Sequence, residues 1–428
     1  MRELFKNKEL HLLVLLFTSI LLNNLISSLL IILSVLYVLM SFKKENYKFS
    51  DYYFIPLILF LSMFLSLIST IDKDETIKSL IKELPLLVIP LIFARSSKII
   101  INNKQYLLKY YSYSVIFFTF FFLIKAIINY FVIGDLKVFF YHDLVSKELN
   151  AIHVSVFVSL AFFFFLIKEL KKTIDYFLIV YLFLFLILLS SKIIIFTTII
   201  IVAIYFLFYS KSSNRMRLRN LIIIVSVVFG FLFFGKIKEK MLFEFNIKSE
   251  SNIGHTVINR NEVGSNIISM KEAWSNEKFN QTDYFSGASF RVYQARIFFK
   301  FLQEEPIFWT GFGLNASYKK IEEKGIYYNV FQGNKETEGY QKKNFHNQYI
   351  QVFAELGFIG FLILATMLFI NIKNAFNTKD FMHIAFAILM ISLFLTESFL
   401  WRQRGVVFFT LFYCLFNFKN EVESNFKN

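Results

Sequence analysis

Apolar runs of about bilayer length recur along most of this chain, and they constrain its fold more than any other feature. A spanning helix needs roughly 18 or more consecutive apolar residues. Runs that approach this lie at roughly 10–22, 25–42, 54–70, 80–95, 106–133, 149–167, 175–190, 193–209, 218–235, 347–371, 381–396 and 403–418. They predict an all-α polytopic membrane protein with about 12 transmembrane helices and one large loop between helices 9 and 10. A β-barrel would instead show short alternating segments.

Composition agrees: of 428 residues 56% are hydrophobic, 58 are Phe and only 18% are charged. The net charge of +15 suggests nucleic acid at first sight. The cations, however, sit mostly in short loops between apolar runs, as in Lys43-Lys44, Lys168, Lys171-Lys172 and Arg215, Arg217, Arg219. Opposite short loops carry few. That asymmetry is the positive-inside pattern, so the expected partner is the lipid bilayer and not nucleic acid, with both termini cytoplasmic. The expected organisation is 1–235 (helices 1–9), 236–346 (a large outer loop with amphipathic helices), 347–418 (helices 10–12) and 419–428 (a cytoplasmic tail). A single cysteine, Cys414, precludes an intrachain disulfide.

Within the loop, residues 248–283 are rich in Asn, Ser, Glu and Lys and read as flexible. From Phe290 to Gln303 the pattern becomes amphipathic, with Arg291, Gln294, Arg296 and Lys300 opposite Phe290, Ala295, Phe298, Phe299 and Leu302. This predicts a helix lying on the membrane surface or over the bundle. Pro306 ends it, and Gly311-Phe312-Gly313 predicts a tight turn.

The stretch Asn344 to Phe361 starts polar and becomes a long apolar helix. Asn347, Gln351 and Glu355 recur every four residues and form one polar stripe. A carboxylate two turns into a membrane helix is costly and usually faces a cavity or a partner. His346 stands at the expected helix start, where free N–H groups and the helix dipole favour an anion. The pattern fits the lip of an active site; it fits equally a helix cap followed by one satisfied buried Glu. Arg291, and Lys192 at the break between two helices, are placed to meet a phosphate, or else to snorkel as interfacial anchors. His153 and Glu397 are further polar groups in apolar surroundings. No phosphate-binding loop, dinucleotide fingerprint or zinc-ligand spacing is present, so neither a metal nor a cofactor is expected.

Taken together, His346-Asn347-x-Tyr349-x-Gln351-x-x-x-Glu355-x-Gly357-x-x-Gly360 resembles the signature of the O-antigen ligase and O-antigen polymerase superfamily. Phe290-Arg291 followed by Pro306 and Gly311-x-Gly313 resembles the segment that precedes it. Ser191-Lys192 stands where that family usually has Ser-Arg. Thr396-Glu397-Ser398 with Arg402-Gln403 and Gly405 resembles a closing segment of bacteroidete members. The resemblance implies a metal-independent, inverting glycosyltransferase of the bacterial inner membrane, with its site facing the periplasm. The donor would be an undecaprenyl-pyrophosphate-linked glycan and the acceptor a glycan or lipid A core. His346 would match the family's essential His and Arg291 its loop Arg. Lys192 would replace a pyrophosphate-binding Arg, keeping the charge but losing the bidentate fork. Asn347, Gln351, Glu355, Arg296, His153, Glu397 and Arg402 would support them. A neutral imidazole can take the acceptor's proton. Ligase, polymerase and protein oligosaccharyltransferase remain open within the resemblance, and a polysaccharide or lipid-linked sugar exporter remains open outside it.

Overall fold

The computed structural model describes residues 8–40, 49–146, 148–210, 216, 222, 266–335 and 337–418. Except for Ile222, the run expected at 218–235 lies outside these residues, as do the first part of the loop to 265 and the tail 419–428. Helices α1 to α5 are Lys8–Thr18, Asn24–Met40, Phe54–Leu65, Lys73–Glu83 and Pro85–Arg95. Then come α6 (Ser97–Ile133), α7 (Tyr141–Leu144), α8 (Ala151–Leu166), α9 (Thr173–Leu188) and α10 (Lys192–Ile204). After the undescribed stretch follow α11 (Met270–Ser275), α12 (Gly287–Glu304), α13 (Ser317–Tyr327), α14 (Gln348–Thr378), α15 (Phe381–Phe394) and α16 (Gln403–Phe416).

Four helical stretches among the described residues are long and apolar enough to cross a membrane: Asp51–Ile68, Ile99–Ile133, Lys192–Tyr209 and Gln348–Thr378. Five more apolar helices, α2, α8, α9, α15 and α16, are shorter. The protein is therefore an all-α membrane protein. The expected run at 80–95 is divided, because Pro85 starts a new helix directly after Glu83 and Leu84. Helix α8 has no polar stripe, and all its residues except Ile152 are buried. A helix that is apolar all round belongs in a core, and α8 packs against α6, α9, α10 and α15.

Residues 266–345 have a second hydrophobic core of their own, built from α12 and the turns around it. Phe279, Phe285, Tyr293, Phe301, Phe312 and Phe345 are all buried there. The polar part, expected to be flexible, is folded from residue 266 onward. Ile267–Ile268 pairs in parallel with Tyr284–Phe285. Helix α11 opens with a capping box, in which Ser269 Oγ accepts from Glu272 N while Glu272 accepts from Ser269 N. Ser286 caps α12 by accepting from Ser289 N at 3.2 Å.

Helix α14 is the element that positions the site, and it is broken. Gly357 has φ 68° and ψ −168°, which is not helical. A Cβ there would stand 2.2 Å from the backbone of Trp309, so only glycine fits. Tyr349 donates to the Ile391 carbonyl at 3.1 Å, and Asn371 meets His383 at 2.9 Å. Between these two levels α14 uses 22 residues and α15 only 8. As straight helices they would climb roughly 33 and 12 Å. The break must therefore turn residues 348–356 away from the axis of 358–378. The second segment alone, roughly 32 Å long, is enough to cross the hydrocarbon layer.

Candidate active site

His346 occupies a left-handed backbone conformation, φ 46°, at the start of α14. A non-glycine residue there costs roughly 1–3 kcal/mol and needs support from its surroundings. Two bonds supply it: His346 N donates to Asn344 Oδ1 at 3.0 Å, and Phe345 N donates to Gln351 Oε1 at 3.3 Å. Asn347 then caps the helix, accepting from Tyr349 N at 3.0 Å and Ile350 N at 3.1 Å. Its amide also donates to the Leu395 carbonyl at 3.1 Å. The chain entering α14 is thus tied to the chain leaving α15.

That junction brings together residues far apart in sequence. His346 Nδ1 lies 3.5 Å from Glu397 Oε1. The Phe290 ring stands edge-on to the imidazole, centroids 5.8 Å apart. From α12, Arg291 donates through Nε and one terminal nitrogen to the Thr396 carbonyl, at 3.1 and 2.9 Å. That same terminal nitrogen is 3.8 Å from Glu397 Oε1. The other donates to the Gly287 carbonyl at 2.8 Å. The Arg291 and His346 side chains keep 32% and 29% of their surface exposed, whereas Glu397 keeps 7%. Cation and imidazole therefore face the solvent-accessible side, and the carboxylate braces both from behind. Burial alone would raise the Glu397 pKa. The hydrogen bond and charge of His346, then the charges of Arg291 and His153, outweigh it and hold the carboxyl down at about 2.

His153 is buried in the first turn of α8, its ring 4.5 Å from that of Phe399. It belongs to the floor of the cluster. Arg402 follows on the same loop and is exposed. Lys192 begins α10 after the N-cap residue Ser191, and Ser190 before it has φ 54°. At the other end of α10, Tyr205 and Tyr209 pack on Phe381, the first residue of α15. The two helices are therefore antiparallel neighbours, and Lys192 lies at the end of the bundle where α15 delivers Glu397. Arg296 does not join the cluster. Its guanidinium donates to the Asn276 carbonyl at 2.7 Å and lies 4.8 Å over the Tyr328 ring, so it braces α11 against α12.

The polar stripe has a different use from that of an open cavity wall. Gln351 and Glu355 are buried, at 1% and 3% exposure. Gln351 accepts from Phe345 N and Ser398 Oγ, each at 3.3 Å, and donates to Glu355. Glu355 accepts from Ser317 Oγ at 3.3 Å, and its carbonyl accepts from Gly313 N at 2.9 Å. Gln348 Oε1 accepts from Leu400 N at 2.7 Å. The stripe thus fastens the His346 turn, the Gly313–Ser317 turn and the 395–402 loop to one helix face. Glu355 and Glu83 together line a cavity of about 20 Å³, with Ser79, Lys82 and Trp401. That space suits a single water.

Sequence reasoning gave no role to Gln348 or Glu83, and quoted Asn344 and Ser398 only as parts of longer motifs. For Glu83 a signal was there, a carboxylate inside an apolar run. The Thr396 contribution is a backbone carbonyl, which no side-chain pattern reveals. Among the described residues no three His, Cys, Asp or Glu side chains are grouped to hold a metal ion.

The family model described as O-antigen ligase matches residues 177–365 of this chain. That segment contains Lys192, Arg291, His346 and the stripe, and it ends before Glu397. No curated protein matches the chain.

Proposed function

Taking as premise the match of residues 177–365 to the O-antigen ligase family model, we propose that this chain belongs to the O-antigen ligase and polymerase superfamily and transfers a glycan from undecaprenyl pyrophosphate to an acceptor hydroxyl at the periplasmic face of the inner membrane. The observation that carries this is the His346–Glu397–Arg291 cluster, in which a base and a cation are exposed side by side over a buried carboxylate.

A glycosyl pyrophosphate already has a good leaving group, so the protein must hold its charge and take up one proton. With Nδ1 turned to Glu397, His346 has Nε2 left for the acceptor hydroxyl. The acceptor oxygen attacks the anomeric carbon as its proton passes to Nε2. The bond from the anomeric carbon to the pyrophosphate oxygen breaks, and the pyrophosphate leaves with the electron pair. A single displacement inverts the anomeric centre. Glu397 holds the imidazole in place and stabilises the imidazolium that forms. The exposed edge of Arg291 and the ammonium of Lys192 would hold the pyrophosphate, and neither step calls for a metal ion.

The test is purified protein with undecaprenyl-pyrophosphate glycan and candidate acceptors, with and without chelator. A single transfer to lipid A core identifies a ligase. A ladder on the donor lipid identifies a polymerase, and a glycosylated protein identifies an oligosaccharyltransferase. Movement of the glycan lipid across the membrane with no new glycosidic bond would overturn the reading in favour of an exporter.

A further inference from the structure

Helix α12 turns one face to the core of its own domain and leaves another uncovered. Phe298 and Phe301 are buried, whereas Phe299 between them is 51% exposed. Beside it stands Trp274 of α11, 48% exposed, with ring centroids 6.0 Å apart. Met270, one turn earlier on α11 and so on the same face, is 42% exposed. A second exposed pair, Phe308 at 46% and Trp309 at 60%, lies at the break in α14.

A path of ring contacts joins the two pairs. Phe299 touches Phe298 at 5.7 Å, Phe298 touches Phe353 at 5.3 Å, and Phe353 touches Phe308 at 5.7 Å. Phe308 and Trp309 then meet Phe358 at 5.5 and 5.9 Å. Phe358 begins the second segment of α14, a helix long and apolar enough to cross a membrane, where Ile359 and Leu362 are each 52% exposed. Through the buried Phe298 and the half-buried Phe353, the exposed rings of the loop domain are therefore packed in one apolar cluster with the helix that is long and apolar enough to cross a membrane. These exposed rings are of the kind that gathers at membrane interfaces, with two of the three tryptophans of the chain among them. Lys271 and Lys300 adjoin Met270 and Phe299 in sequence, cations next to apolar side chains as in helices that lie in a headgroup layer.

We propose that the folded loop domain is seated in the interfacial layer of the bilayer through Trp274, Met270 and Phe299, with Phe308 and Trp309 as the inner edge of the same contact. The occupant of this face is the lipid surface itself. Arg291 lies on the helix that carries Phe299, so the contact fixes the height of Arg291 over the headgroups. This inference does not depend on the chemistry proposed for the site.

The test uses the tryptophans as depth probes. Variants keeping only Trp274, Trp309 or Trp401, the others changed to Phe, are reconstituted in vesicles whose phospholipids carry bromine high or low on the acyl chains. Trp274 and Trp309 should lose emission, more to the high bromines than to the low. Trp401, in contact with Asn315 and Tyr318, should not. Phe299→Asp should relieve quenching at Trp274 and leave it at Trp309. A bimane label on Met270→Cys in a Cys414→Ser background gives the same reading without removing any tryptophan. The proposal is overturned if Trp274 and the label at 270 are unquenched while Trp309 is quenched, because the domain then stands clear of the bilayer. It is overturned equally if the label at 270 is shielded by cross-linking to a second copy of the chain.

Discussion

Glu397→Gln removes one charge from the cluster and keeps its shape. The fold holds this carboxyl at about 2 against an ordinary value of 4.5. The difference, at 1.36 kcal/mol per unit, corresponds to roughly 3 kcal/mol of preference for the ionised form. With the side chain 7% exposed, solvent screening removes little of it. The folded value is depressed, so the contribution is full above the unfolded pKa and is lost as pH falls through the folded one. Wild type should therefore lose thermal stability in detergent between about pH 4.5 and 2, beyond the loss seen in Glu397→Gln. At neutral pH the variant should also be less stable, by less than this figure, because His346 is neutral in the resting site and of the cluster's charges Arg291 remains to favour the carboxylate. Turnover should fall on the order of 10²–10⁴-fold, the usual effect of disabling a general base. Donor binding should change far less, because Arg291 and Lys192 remain. The measurements are melting temperature against pH and glycan transfer by gel. Wild-type turnover in Glu397→Gln, or matching stability profiles through the acid window, would refute the bracing role of the carboxylate.

Arg291→Ala should abolish glycan transfer while the protein still inserts, and Arg291→Lys should recover only part, since a point charge returns without the fork; gel assays of both decide. Lys192→Arg should transfer at least as well as wild type, and Lys192→Ala should raise the KM for the lipid donor. Gly357→Ala should yield little folded protein in size-exclusion chromatography, because its Cβ would overlap the Trp309 backbone at a positive φ. A cysteine at Ser275 with Cys414→Ser should react with an impermeant reagent in cells whose outer membrane is permeable; protection there would reverse the topology and move the site to the cytoplasm.

What the sequence could reveal here follows from how local each feature is. A helix cap at the start of the Asn344 to Phe361 stretch was one of the two readings its pattern fits, and the structure gives that role to Asn347, the first member of the stripe, with two backbone donors. The amphipathic pattern around Arg291 likewise anticipates α12. The pairing of His346 with Glu397 is of another kind. The two are separated by more than fifty residues and two helices, and no periodicity connects them; Glu397 stood out only as a polar group in apolar surroundings and through the resemblance of Thr396-Glu397-Ser398 to a known segment. The break in α14 was hidden by the same chemistry that made the helix visible. An apolar run with two glycines reads as a continuous span, since glycine is tolerated in membrane helices. Here Gly357 abuts the Trp309 backbone and turns the helix. That turn alters the meaning of the stripe above it. On a straight spanning helix Glu355 would be a carboxylate deep in hydrocarbon. On a segment turned aside it is a buried anchor, held by Gln351 and Ser317, that locks the His346 turn to the loop bearing Glu397. The polar positions were readable one by one, but whether they face a substrate or fasten the segments that do is decided by a single backbone torsion.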